Sequence, residues 1–108
     1  MMNVLKILEL KNALLIAKAE ADKLRDTNDG GTCNFDSPTL SLPSEWSKDM
    51  LDFAFMRTGM RYYRISKETI EILDAVEGQG FRRTAMAEAF RDKLRELGYV
   101  ANVHYQID

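Results

Sequence analysis

Cysteine and histidine each occur once in this chain, as Cys33 and His104. A lone cysteine cannot close a disulfide within the chain, and one cysteine with one histidine cannot furnish a Cys/His zinc site. No metal and no cofactor is therefore expected. Charge of one sign is lacking too: 15 Lys and Arg against 17 Asp and Glu leave a net charge of -2, so bulk electrostatics favours no partner of either sign. Long apolar runs are absent. Met1 to Leu10 carries Lys6 and Glu9, and is too short and too polar for a signal-peptide core or a membrane span. A cytoplasmic protein with no membrane association is expected. Proline is scarce, with two in 108 residues, which leaves room for regular structure.

What the chain does have is the make-up of a soluble globular domain, 45% apolar and 30% charged. That length buries enough surface for one modest core without metals or cross-links. Residues 1–108 are read as a single domain, with no repeat and no low-complexity linker.

Val4 to Leu24 repeats apolar residues at Leu5, Leu8, Leu15 and Ala19, and at Val4, Ile7 and Leu14, predicting an amphipathic helix. Asn28, Asp29, Gly30 and Gly31 end it. Thr32 to Phe35 and Thr39 to Leu42 predict two short strands, or one broken edge strand, parted by a turn at Asp36-Ser37-Pro38. A second helix is expected to open at Ser44-Glu45-Trp46, capped by Ser44 or Ser47 and closed by Gly59. Arg61 to Ile65 reads as a strand. Lys67 to Glu77 suits either a helix capped by Ser66 or a strand returning as a hairpin. We read a strand, because only 11 residues precede the Gly78-Gln79-Gly80 break. Thr84 to Leu97 predicts a helix ended by Gly98, and Tyr99 to Ile107 an alternating strand with one wet face. These elements make an α+β fold, a small and mostly antiparallel sheet packed against about three helices.

Three stretches bear on chemistry. In Asp29-Gly-Gly-Thr-Cys-Asn-Phe-Asp-Ser-Pro38, the oxygens of Asp29, Asn34 and Asp36 could hold a hard cation, but the EF-hand spacing is missing. The same residues serve equally to bond their own backbone in a connection. Around Gly78-Gln-Gly-Phe-Arg-Arg83, a flexible turn leads into a helix start carrying Arg82 and Arg83, an arrangement able to contact an anion. Neither the Walker loop nor the full GxGxxG fingerprint is met, since Arg83 stands at the third glycine position. Arg61-Tyr62-Tyr63-Arg64 mixes basic and aromatic residues as base-stacking sheets do, but strand alternation leaves one tyrosine per face. Arg61, Arg64, Arg82 and Arg83 would form a basic patch only if the fold gathers them. Over residues 29–59, Asp29, Asp36, Glu45, Asp49 and Asp52 oppose only Lys48 and Arg57, a local balance of -3. Cys33 and His104 could also meet as nucleophile and base.

The stretches DGGTCNFDSP and GQGFRRTAMAEAF, with the C-terminal HYQID, resemble small uncharacterised proteins carried by bacterial phages and mobile elements. The resemblance implies no residue roles. It implies a context in which such proteins bind and inhibit host defence nucleases, anti-CRISPR proteins among them. The expected function is accordingly a non-enzymatic module that binds a protein partner. The alternative is a small nucleic-acid or phosphate-binding accessory protein using the arginine-bearing Gly-rich loop.

Overall fold

Helix α1, Val4–Asp22, starts at Asn3, whose side chain accepts a hydrogen bond from the Lys6 backbone N–H at 3.1 Å. The computed structural model describes residues 3–28, 30–31 and 33–107. Ile7, Leu10, Ala13, Leu14, Ala17 and Ala21 face inward and are buried. Val4, Leu5, Leu8, Leu15 and Ile16 lie on the other side, exposed. The one-sided helix expected from the sequence is therefore a helix with two apolar faces. Two 3-4 stripes overlap in its sequence, and periodicity alone cannot say which one the core takes.

Strand β1, Ser37–Ser41, runs through the expected turn at Pro38. Proline is tolerated there because the β3 side of the register begins only at Thr39, so on that side no ladder partner faces the missing N–H. Of the strand expected over Thr32 to Phe35, Thr32 lies outside the described residues, and Cys33 to Phe35 contribute only a single bridge from Asn34 to Ile107. Helix α2, Lys48–Phe55, is capped by Ser47, which accepts from Met50 N–H at 3.2 Å. Trp46 precedes the helix but is buried. The helix stops at Phe55, before Gly59, because Arg57 (φ 64°) and Gly59 (φ 78°) turn the chain left-handed into β2, Arg61–Arg64.

Strand β3, Thr69–Leu73, pairs antiparallel with β2, as the hairpin reading anticipates. Helix α3, Gly80–Glu96, begins four residues before Thr84, so Arg82 and Arg83 belong to its first turn. Strand β4, Val100–His104, completes a four-stranded antiparallel sheet in the order β2-β3-β1-β4. From β1 onward the chain runs strand-helix-strand-strand-helix-strand, a split β-α-β connectivity to which α1 is added. The fold is α+β. Leu40, Ile70, Ile72 and Ala101 of the sheet meet Leu10, Leu14, Leu51, Met86, Phe90 and Leu94 of the helices in one core. Ser37, Thr39, Ser41, Thr69 and Glu71 line the central strands of the opposite, open face.

Candidate functional site

The motif residues converge at the end of the molecule where residues 33–36, the start of α3 and the end of β4 meet. Asp36 is 4% exposed. Its Oδ2 accepts from Thr84 Oγ at 2.7 Å and its Oδ1 from the Gln106 backbone N–H at 2.8 Å. Asn34 donates from Nδ2 to the Gly80 carbonyl at 3.1 Å and to Thr84 Oγ at 3.3 Å, while its Oδ1 accepts from Asp36 N–H at 3.3 Å. Arg83 Nε donates to the Asp36 carbonyl at 2.7 Å. These bonds form a latch that ties three distant stretches of chain together, with each carboxylate oxygen of Asp36 engaged. Asp29 lies outside the described residues, and among the described residues no group of three or more His, Cys, Asp or Glu could hold a metal.

The four arginines are not gathered. Arg61 forms a two-pronged pair with Asp74 (2.6 and 3.3 Å), which raises the arginine pKa and lowers that of the carboxyl. Arg64 leaves the opposite face of the same strand and donates to the Lys67 and Trp46 carbonyls. Arg82 donates to the Arg25 carbonyl at 3.1 Å. Arg61 and Arg83 do share the wall of one groove of about 280 Å³, but Glu71 and Asp74 line it as well, so it offers an anion as much repulsion as attraction.

The open sheet face presents one exposed tyrosine, Tyr63 (62%), directly opposite Glu71. A base-stacking sheet needs aromatic side chains on its central strands; here those positions hold hydroxyls and a carboxylate. Tyr62, on the core side, packs its ring 5.1 Å from that of Phe55 and donates to Asp52 Oδ1 at 2.6 Å. Burial first, then the Asp52 carboxylate, pushes its phenol up to about 12. Cys33 and His104 do not meet. His104 is paired in register with Ser37, and Cys33 lies four residues before Ser37, roughly 13 Å along an extended chain. His104 Nδ1 instead sits 3.7 Å from Glu71 Oε2, and Ser37 donates to the same carboxylate oxygen.

Above the latch lies a cleft of about 300 Å³, with Asn34, Asp36, Gly80 and Thr84 as its floor and Phe81, Tyr105 and Ile107 as its rim. The rim side chains are 64%, 54% and 77% exposed. Phe81 is braced from behind by glycine: a Cβ on Gly31, which has φ +97°, would stand 3.1 Å from its ring. Tyr105 is held by donating to Glu88 Oε2 at 2.5 Å and accepting from Arg91 at 3.2 Å. Reading by sequence misses these three residues, because Tyr105 and Ile107 continue the apolar alternation of β4 and Phe81 is hidden in a polar turn. Their signal is positional: Tyr105 and Ile107 fall beyond His104, past the end of the ladder that could cover them. In comparison with known proteins, no family model, no curated protein and no solved structure matches the chain.

Proposed function

We propose that the protein acts by binding another protein, without catalysing a reaction, and that the Phe81–Tyr105–Ile107 cleft is where the partner docks. One observation supports this reading: three exposed apolar side chains ring a cleft whose polar floor carries a buried carboxylate already bonded at both oxygens. Such a cleft offers no free carboxylate to activate a substrate. It does offer a recess for an apolar side chain, with two aromatic anchors of the kind that dominate binding energy. In its specific form the partner is a host defence nuclease, the context carried by the resemblance to phage and mobile-element proteins.

A cleavage assay with purified CRISPR effector nucleases tests both levels. The wild-type protein is expected to inhibit at least one effector, and Phe81→Ser or Ile107→Ser to weaken that inhibition by about tenfold, equivalent to about 1.4 kcal/mol. Undiminished cleavage by every effector removes the nuclease form. Inhibition that survives both substitutions removes the cleft.

A further inference from the structure

Strand β3 ends at Leu73, and Asp74 (φ 66°) turns the chain away from the sheet. Residues 35–38 of the neighbouring stretch run on without it, since the β1–β3 ladder begins only at Thr39. The Phe35 N–H bonds the Gln106 carbonyl on the β4 side, so the next carbonyl, that of Asp36, points toward the space that β3 has left. Arg83 takes up that carbonyl through Nε at 2.7 Å. Beside it lies the groove of about 280 Å³ shared by Arg83, Glu71 and the Arg61–Asp74 pair.

The charges in this groove differ in how well they are matched. Arg61 and Asp74 satisfy each other through two bonds. Arg83 and Glu71 line the same groove without meeting. Arg83 makes no ion pair with any described residue, and apart from the Nε bond its guanidinium has no partner among them, which leaves Nη1 and Nη2 open. Glu71 accepts from Ser37 and faces His104 Nδ1 at 3.7 Å, both at Oε2, so Oε1 is without a partner among the described residues. Phe35 (46% exposed), Leu73 and Val76 add apolar wall beside these two charges.

We propose that the groove binds a free α-amino acid with an apolar side chain. Its carboxylate lies on Nη1 and Nη2 of Arg83, its ammonium on Oε1 of Glu71, and its side chain against Phe35. The balance of charge selects this class. A simple anion gains Arg83 but meets Glu71 and Asp74, and a simple cation gains Glu71 but meets Arg83 and Arg61. A molecule carrying both charges pairs each of them. Once one end is held, the other binds from within the complex, at a high effective concentration. The groove is also small, just below the ~300 Å³ at which drug-sized sites begin, which suits a single amino acid. None of the residues lining it lines the Phe81–Tyr105–Ile107 cleft, so the two sites stand or fall separately.

The test is an amide NMR titration of the full chain. L-leucine and L-phenylalanine are compared with isocaproate, which is leucine without its ammonium, and isopentylamine, which is leucine without its carboxylate. The amino acids are expected to shift the amides of Phe35, Ser37, Leu73 and Asp74 saturably, and the two analogues to bind at least about tenfold more weakly. Glu71→Gln, which keeps an oxygen for Ser37, and Arg83→Gln should each weaken leucine about tenfold, with the amide spectrum of each variant confirming its fold. No saturable shift with either amino acid overturns the proposal. Isocaproate binding as tightly as leucine overturns it too, by reducing the groove to an anion contact, and so does undiminished leucine binding by Glu71→Gln.

Discussion

Asp36 holds together residues that stand 48 and 70 positions away from it, through Thr84 and Gln106. Replacing it with alanine takes the acceptor from the Gln106 N–H and leaves Thr84 Oγ only the Gly80 carbonyl at 3.2 Å, and the expected loss in urea unfolding is about 1–2 kcal/mol. A loss below about 0.5 kcal/mol, the range of ordinary surface changes, would contradict the latch. Tyr62 predicts a pH effect. Its pKa rises from 10.0 to about 12 in the folded protein, so between those values the folded state keeps a proton that the unfolded state has lost. Stability is then complete below pH 10 and falls as pH climbs toward 12. Tyr62→Phe should make that fall shallower when unfolding midpoints are measured at several alkaline pH values, and an equally steep fall in the variant would refute the assignment. The sequence marks Asn34 and Asp36 as polar residues in a turn-rich stretch, and there its information ends. Whether such residues meet a cation, a ligand or their own backbone is decided by α3 and β4, far along the chain.

At the scale of elements, capping chemistry was legible and element limits less so. Both Ser44 and Ser47 read as possible caps of α2, and the structure gives the role to Ser47. Ser47→Ala is expected to cost about 1 kcal/mol in thermal or urea unfolding, whereas Ser44→Ala should stay within about 0.5 kcal/mol. Equal losses from the two would reject this cap. The β2–β3 hairpin could be read because Ile70 and Ile72 alternate with charge over a short span. The start of α3 is legible only in part: the Gly78-Gln79-Gly80 turn points to a helix start carrying Arg82 and Arg83, but the apolar stripe is regular only from Thr84, whereas the helix opens at Gly80 with Gln79 at the N-cap. Helix α1 is the most instructive element. Its sequence declares a helix with two apolar stripes and does not choose between them; the structure buries the side of Ile7 and Leu14 and leaves Leu5, Leu8 and Leu15 exposed.

For the whole molecule, the α+β class followed from the mix of 3.6-residue and two-residue periods, which survives errors of a few residues at element ends. Charge patterning did not carry over. The acidic stretch 29–59 loses its identity in three dimensions: Asp36 is buried, Asp52 is held by Lys48 and Tyr62, and Glu45 meets Lys6 from α1. Sheet order has a further consequence, for the history of each molecule. The strand made first, β1, lies at the centre, and its two neighbours are the third and fourth strands made. While the chain is being synthesised, Ser37–Ser41 has neither edge satisfied until β3 exists, and one edge stays open until Val100–His104 has emerged. An open edge is a template for wrong partners, and pairings this distant in sequence close slowly. A nascent chain therefore carries an unguarded strand edge from the emergence of Ser41 until Val100–His104 follows it.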